Sequence, residues 1–164
     1  MSRWTIVCAL GLAAVTTSAT AGKPFEVDYP NLVRPIAQFG TYGQRAGEFN
    51  EPSGLAVSAQ NEIFVADCFN RRIQVFDRSG TFRRAHILPE AKCPQGVAVH
   101  SSGRLFVADT TDQVFVLDAE GKAINRFGSR GSAQGQFIKP TNLAVAEDRL
   151  YVVDEGNSRI GVFT

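Results

Sequence analysis

The sequence predicts an all-β fold of repeated four-stranded blades, on three observations. The first is internal repetition. Phe39, Gly40, Gly43, Gly47, Phe49, Pro52 and Leu55-Ala56-Val57 recur as Phe127, Gly128, Gly131, Gly135, Phe137, Pro140 and Leu143-Ala144-Val145, every pair 88 residues apart. A middle copy lies between them: Pro52, Gly54, Val57 and Phe64-Val65-Ala66-Asp67 return 42 residues later as Pro94, Gly96, Val99 and Phe106-Val107-Ala108-Asp109. The second is that each unit divides into short β-branched and aromatic runs separated by turn residues. The third is that no segment beyond the N-terminal leader sustains helical periodicity. Four short strands at a period near 42 residues is the pattern of a β-propeller blade.

The strands follow in order within each unit. Gly54 to Ser58 is a run of mostly small residues, suited to a crowded inner strand. Ile63-Phe64-Val65-Ala66 is apolar at successive positions, as in a strand covered on both faces. Ile73-Gln74-Val75-Phe76 is a third run, and Thr81-Phe82-Arg83-Arg84 a fourth after the turn Arg78-Ser79-Gly80. The third copy contributes Leu150-Tyr151-Val152-Val153-Asp154.

Upstream, Arg3 precedes an apolar run from Thr5 to Val15, and Ala19-Thr20-Ala21 fits a signal-peptidase cleavage site. The run is shorter than the roughly 20 apolar residues a membrane-spanning helix needs. A secretory signal over residues 1–21 and an extended segment over 22–34 are therefore expected. Export would place the chain outside the cell or in a periplasm, where disulfides form.

The 164 residues are 44% hydrophobic and 20% charged, close to globular averages. With 17 basic and 16 acidic residues, no strong field selects a polyanion. Arg3 leaves with the leader, so the rest is electrically balanced. Nucleic-acid binding is not expected, although Arg71-Arg72 and Arg83-Arg84 are adjacent basic pairs.

These residues resemble the NHL repeat family. The resemblance rests on Phe49-Asn50-Glu51-Pro52, Gly54-Leu55-Ala56-Val57, Val65-Ala66-Asp67 and Asn70-Arg71-Arg72-Ile73-Gln74-Val75-Phe76, with Asn157-Ser158-Arg159-Ile160-Gly161-Val162-Phe163 in the third copy. The middle copy departs: it reads Asp112-Gln113-Val114, lacks the Arg, and lacks the Phe-Gly entry with its spaced glycines. The resemblance implies a six-bladed type of propeller, of which this chain holds three blades, over about 41–85, 86–127 and 128–164. Propellers close with four to eight blades. Residues 35–40 align with a fourth strand and are expected as a spare closing strand. Two readings stay open: a homodimer closing a six-bladed ring, or a fragment of a longer propeller.

Cys68 follows the second strand of the first blade and Cys93 precedes the first strand of the second. In this meander both sites emerge on one face of adjacent blades. A disulfide between them is expected in an oxidising compartment, two free thiols being the alternative.

Asp67, Asp109 and Asp154 each end a second strand. Three equivalent carboxylates invite a metal or acid–base reading. The structural reading is that each accepts turn amides or pairs with an Arg five residues on, Arg72 for Asp67 and Arg159 for Asp154. Asp109 lacks that Arg. The residues after each strand-opening proline, Ser53, Gln95 and Thr141-Asn142, face the channel mouth in a propeller. They are uncharged, polar and different in each blade, which suits ligand contact; solvated loop residues are the alternative.

His86 and His100 are the only histidines, too few for a tetrahedral zinc site. Peptidyl-hydroxyglycine lyases, also similar propellers, hold zinc with histidines near this entry, and none stands at Ser53, Gln95 or Asn142. Calcium, as in gluconolactonase-like propellers, has Asn142 and Asp109 as candidates but no matching set. No cofactor and no catalytic residue is expected. The leading reading is a non-catalytic scaffold for a protein, peptide or saccharide. The alternative is a metal-assisted lyase or hydrolase with a site in the central channel.

Overall fold

The computed structural model describes residues 35–164 in full and, upstream, only the backbone of two short paired strands, β1 (Val7–Ala9) and β2 (Leu12–Ala14). The expected leader and extended segment otherwise lie outside the described residues. Residues 1–38 and 39–164 form two separate compact units, and the blades belong to the second.

The second unit opens with β3 (Thr41–Tyr42) and β4 (Glu48–Phe49), which pair in parallel around the spaced glycines. Blade 1 is an antiparallel meander of β5 (Pro52–Val57), β6 (Ile63–Asp67), β7 (Arg72–Phe76) and β8 (Phe82–Ile87). Blade 2 repeats it with β9 (Pro94–Val99), β10 (Leu105–Asp109), β11 (Gln113–Leu117) and β12 (Ala123–Phe127). Blade 3 has three strands, β13 (Pro140–Ala146), β14 (Arg149–Asp154) and β15 (Arg159–Phe163). Residues 35–40 form no strand and are exposed. A strand exists only where a neighbour takes its N–H and C=O groups, and among the described residues none does so here.

The turn into the third strand of every blade is closed by a residue in the left-handed region: Arg71, Asp112 and Ser158, with φ of 51°, 61° and 53°. None is glycine, so each turn carries a small backbone strain that the paired strands on both sides hold in place.

Side chains alternate across each sheet, so every blade has two apolar faces. Phe64, Ala66, Ile73 and Val75 of blade 1 pack on Val97, Leu105, Val107, Phe115 and Leu117 of blade 2 in one core. Ala98, Ala108 and Val114 of blade 2 pack on Leu143, Leu150 and Val152 of blade 3, with Phe137 between them, in a second. The aromatic trio Phe127, Phe137 and Phe163 closes the outer part of that junction, with ring centroids 5.0–6.1 Å apart. Phe39, Phe49 and Phe76 form the matching cluster on blade 1.

The inner strands β5, β9 and β13 run side by side, and glycine sets how closely they approach. A Cβ on Gly54 would lie 2.5 Å from the Gln95 carbonyl oxygen, and one on Gly96 would collide with the Thr141 carbonyl. Neither position tolerates a side chain at this spacing.

Candidate functional site

Each inner strand breaks its ladder just after its opening proline. Pairing with the second strand skips between Pro52 and Leu55, between Pro94 and Gly96, and between Pro140 and Leu143. Such bulges turn residues out of the sheet. The residues turned out are Ser53, Gln95 and Thr141-Asn142. The structure brings all four around one concavity of about 450 Å³, completed by Gly54 and Leu55. Ser53 Oγ donates to the Pro94 carbonyl at 2.8 Å, tying blade 1 to blade 2 at the rim. Gln95 Nε2 lies 2.8 Å from Cys93 Sγ, and Asn142 Oδ1 accepts the Leu143 N–H at 3.1 Å. Among the described residues, much of the polar capacity of these side chains has no protein partner.

Cys68 and Cys93 are joined in a disulfide, with Cα atoms 4.2 Å apart. It ties the β6–β7 turn of blade 1 to the entry of β9, directly beside Gln95.

The three aspartates stand behind the rim, each wholly buried. Asp67 accepts from the Asn50 N–H, Asn70 Nδ2, Arg72 Nε at 2.8 Å and Gln74 Nε2. Arg72 also donates to the Arg45 and Glu48 carbonyls, and Asn70 to the Gly43 carbonyl. Aspartate, asparagine and arginine together therefore clasp the spaced-glycine loop. Blade 3 repeats the clasp. Asp154 accepts from the Ile138 N–H, Asn157 and Arg159, which reach on to Gly131, Ser132, Ala133 and Gln136 carbonyls. Burial pushes the Asp154 pKa up, but the bonds from Asn157, the Ile138 N–H and Arg159 outweigh it and hold the carboxyl below the usual range. Asp109 has no arginine. Its carboxylate takes three main-chain donors instead, from Lys92, Cys93 and Thr111. With their lone pairs filled by internal donors, none of the three faces the concavity as a free acid or base.

Two features left no trace in the periodicity. Gln74 is fully buried and ties the Gly47 N–H and the Glu48 carbonyl to Asp67. Nothing in an apolar run marks one glutamine as a loop anchor. A second cavity, of about 390 Å³, lies at the other ends of the blade 2 and blade 3 strands. It is lined by Phe106, Phe127, Arg104 and Arg149 and by His100, whose Nε2 is 3.7 Å from Asp148 Oδ1. His86 is apart from both, on β8. Among the described residues, no three His, Cys, Asp or Glu side chains stand close enough to hold a metal ion, and no helix is long and apolar enough to cross a membrane.

Comparison with known proteins places this geometry. Residues 49–76 match the NHL repeat. The chain is 38% identical over 104 residues to the Drosophila melanogaster protein brain tumor, covering 56% of this chain and 10% of that protein. It is 29% identical over 146 residues to the Homo sapiens E3 ubiquitin-protein ligase TRIM32, covering 74% of this chain and 22% of that protein. The chain thus spans a small part of these curated relatives. Among solved structures, a streptogramin B lyase superposes with a TM-score of 0.56 at 18% identity, over 92% of this chain and 44% of that one. A Staphylococcus aureus virginiamycin B lyase superposes with a TM-score of 0.57 at 17% identity, over 93% and 45%. At that identity the likeness is one of fold. Residues 49–76 are an NHL repeat, set in a chain of β-propeller blades.

Proposed function

We propose that this chain is an exported, non-catalytic scaffold whose channel mouth binds a protein or peptide partner. One observation carries the reading. The residues that recur between blades are consumed inside the fold, whereas the bulged positions deliver different uncharged side chains, Ser53, Gln95, Thr141 and Asn142, to one concavity. Side chains that differ at equivalent positions around a rigid rim read a shaped surface and keep it in fixed geometry.

A photo-crosslinking residue placed at Gln95, and separately at Glu120 on the opposite edge of blade 2, tests this. The chain is exposed to the extracellular or periplasmic fraction of its source. The expected result is one defined protein crosslinked from Gln95, lost on Thr141→Ala and absent from Glu120. Equal labelling from both positions, or none, would overturn the reading. Crosslinking should survive chelation with EDTA. Its loss there would move the site toward the metal-assisted lyase or hydrolase.

A further inference from the structure

The two blade junctions inside the chain and its two end faces are built from the same positions. Toward blade 2, blade 1 presents Phe64, Ala66, Ile73 and Val75, each 4% exposed or less. The equivalent residues of blade 3 are Tyr151, Val153, Ile160 and Val162, and Ile160 and Val162 are 57% and 54% exposed. Blades 2 and 3 receive a preceding blade on Val97 and Leu143, both buried. Their equivalent in blade 1, Leu55, is 67% exposed, and its neighbour Val57 55%. The end faces are thus the two complementary halves of one junction type, each without its other half among the described residues.

The strands repeat this complementarity. Among the described residues, blade 3 has three strands and no strand pairs with the outer edge of β15. Pro35-Ile36-Ala37-Gln38-Phe39-Gly40 aligns with Ala123-Ile124-Asn125-Arg126-Phe127-Gly128, most of which is the fourth strand β12. Yet among the described residues nothing pairs with residues 35–40, and Ile36 is 92% exposed. An unpaired edge and an unpaired segment of matching pattern are a donor and an acceptor for strand addition.

We infer that the occupant of both faces is a second copy of this chain. This deepens the scaffold reading and rests on it for the use of the channel. Blade 3 of one copy receives the Leu55–Val57 face of the other, and residues 35–39 of that other copy complete blade 3 as its fourth strand. The contact is made twice and closes a two-fold ring of six blades. Ser53, Gln95, Thr141 and Asn142 then recur twice around one channel mouth, so the binding site is complete only in the dimer. The junction between copies differs from the two inside the chain at one point. Asn142 stands where Gly54 and Gly96 let inner strands meet, so this junction opens at the channel by the room of a side chain.

The test is the native mass of the signal-free chain under non-reducing conditions, with three variants. Leu55 and Val162 are exposed within one chain, so Leu55→Lys and Val162→Asp leave its own core untouched. The wild-type chain is expected at twice the chain mass and each variant at one. Mixing the two variants should restore the dimer, because a pair of unlike variants retains one unaltered junction and sets Lys against Asp in the other. Asn142→Gly, which relieves the wide junction, should tighten association several-fold. A monomeric wild-type chain, a dimer indifferent to both variants, or a mixture that stays monomeric would overturn the inference. Gln95 crosslinking of a partner by the monomeric Val162→Asp variant, whose change lies outside the concavity, separates the two proposals. If it persists, the scaffold reading stands without the ring.

Discussion

Blades 1 and 2 solve the same electrostatic problem with different parts. Both bury an aspartate at the end of the second strand. In blade 1, Asp67 meets Arg72, whose side chain is 10% exposed, and the remaining donors of Asn70 and Arg72 go to the glycine loop. In blade 2 that loop is missing, and so is the arginine. Asp109 is satisfied by the N–H groups of Lys92, Cys93 and Thr111, and the β8–β9 connection that carries Lys92 and Cys93 is anchored by sulfur, through Cys68. Arginine and glycine loop are therefore one unit. Where there is no loop whose carbonyls need donors, an arginine would bury a charge with half its hydrogen bonds unmet. Blade 3, which has the loop, has the arginine as well.

The sharpest way to break this comparison is Asp67→Ala. It strands a buried guanidinium, Asn70, Gln74 and the Asn50 N–H without their acceptor, and should cost about 3–5 kcal/mol in denaturant unfolding. Asp154→Ala should cost less, because the Arg159 side chain is 37% exposed and water can take over its donors. Equal losses would mean that burial of the cation is not what separates the two sites. Next in size is the bridge that stands in for the loop. Cys68→Ser with Cys93→Ser opens a disulfide between residues 25 apart and should lose about 3 kcal/mol by loop entropy. The loss should appear chiefly as earlier hydrogen exchange at the amides of Lys92 and Cys93. Asp109→Asn should be milder than Asp67→Asn, at about 1–3 kcal/mol, since it mismatches main-chain donors but strands no cation. If Asp109→Asn proves the more damaging, the amides matter more than the ion pair.

The repeat was legible because a propeller blade writes its strands into the chain at one period. Ile63-Phe64-Val65-Ala66 could be read as covered on both faces because blade packing hides both. The Asp67–Arg72 pairing could be read because five residues is the reach across a tight turn. What stayed hidden is what leaves no side-chain signature. Turn amides are one expectation for the aspartates, but which of them serve Asp109 is set by the path of the main chain and marked by no side chain. The bulges that aim Ser53, Gln95 and Thr141-Asn142 at one concavity arise from the register of the neighbouring strand. Residues 35–40 carry a strand's pattern but form no ladder, because pattern sets which face is apolar while pairing needs a partner. The cavity beside His100 and Asp148 joins residues of two blades that only the packing angle brings near.

The smallest expected effect sharpens the contact between the same two blades on their outer side. His86 lies on the outer strand of blade 1 under the blade 2 turn at Gly121, where a side chain on that glycine would collide with the imidazole. It is 5% exposed, and its Nε2 has no hydrogen-bond partner among the described residues. Burial pushes its pKa down, the Arg84 charge adds to this, and Glu62 and Asp118 oppose it. The folded chain therefore holds His86 neutral at a pH where the unfolded chain, with an ordinary value near 6.5, takes up a proton. The unfolded state then binds more protons, so stability falls as pH drops below about 6.5 and levels off only below the depressed folded value. His86→Phe keeps the ring volume, removes the unpartnered nitrogen and should flatten that slope, with stability at neutral pH unchanged or slightly higher. Urea unfolding midpoints between pH 7.5 and pH 5 would show it. A slope that persists in the variant would assign the acid sensitivity to other groups, Asp154 among them, whose depressed pKa withdraws its own contribution only further down, as pH falls through the acid range of a carboxylate.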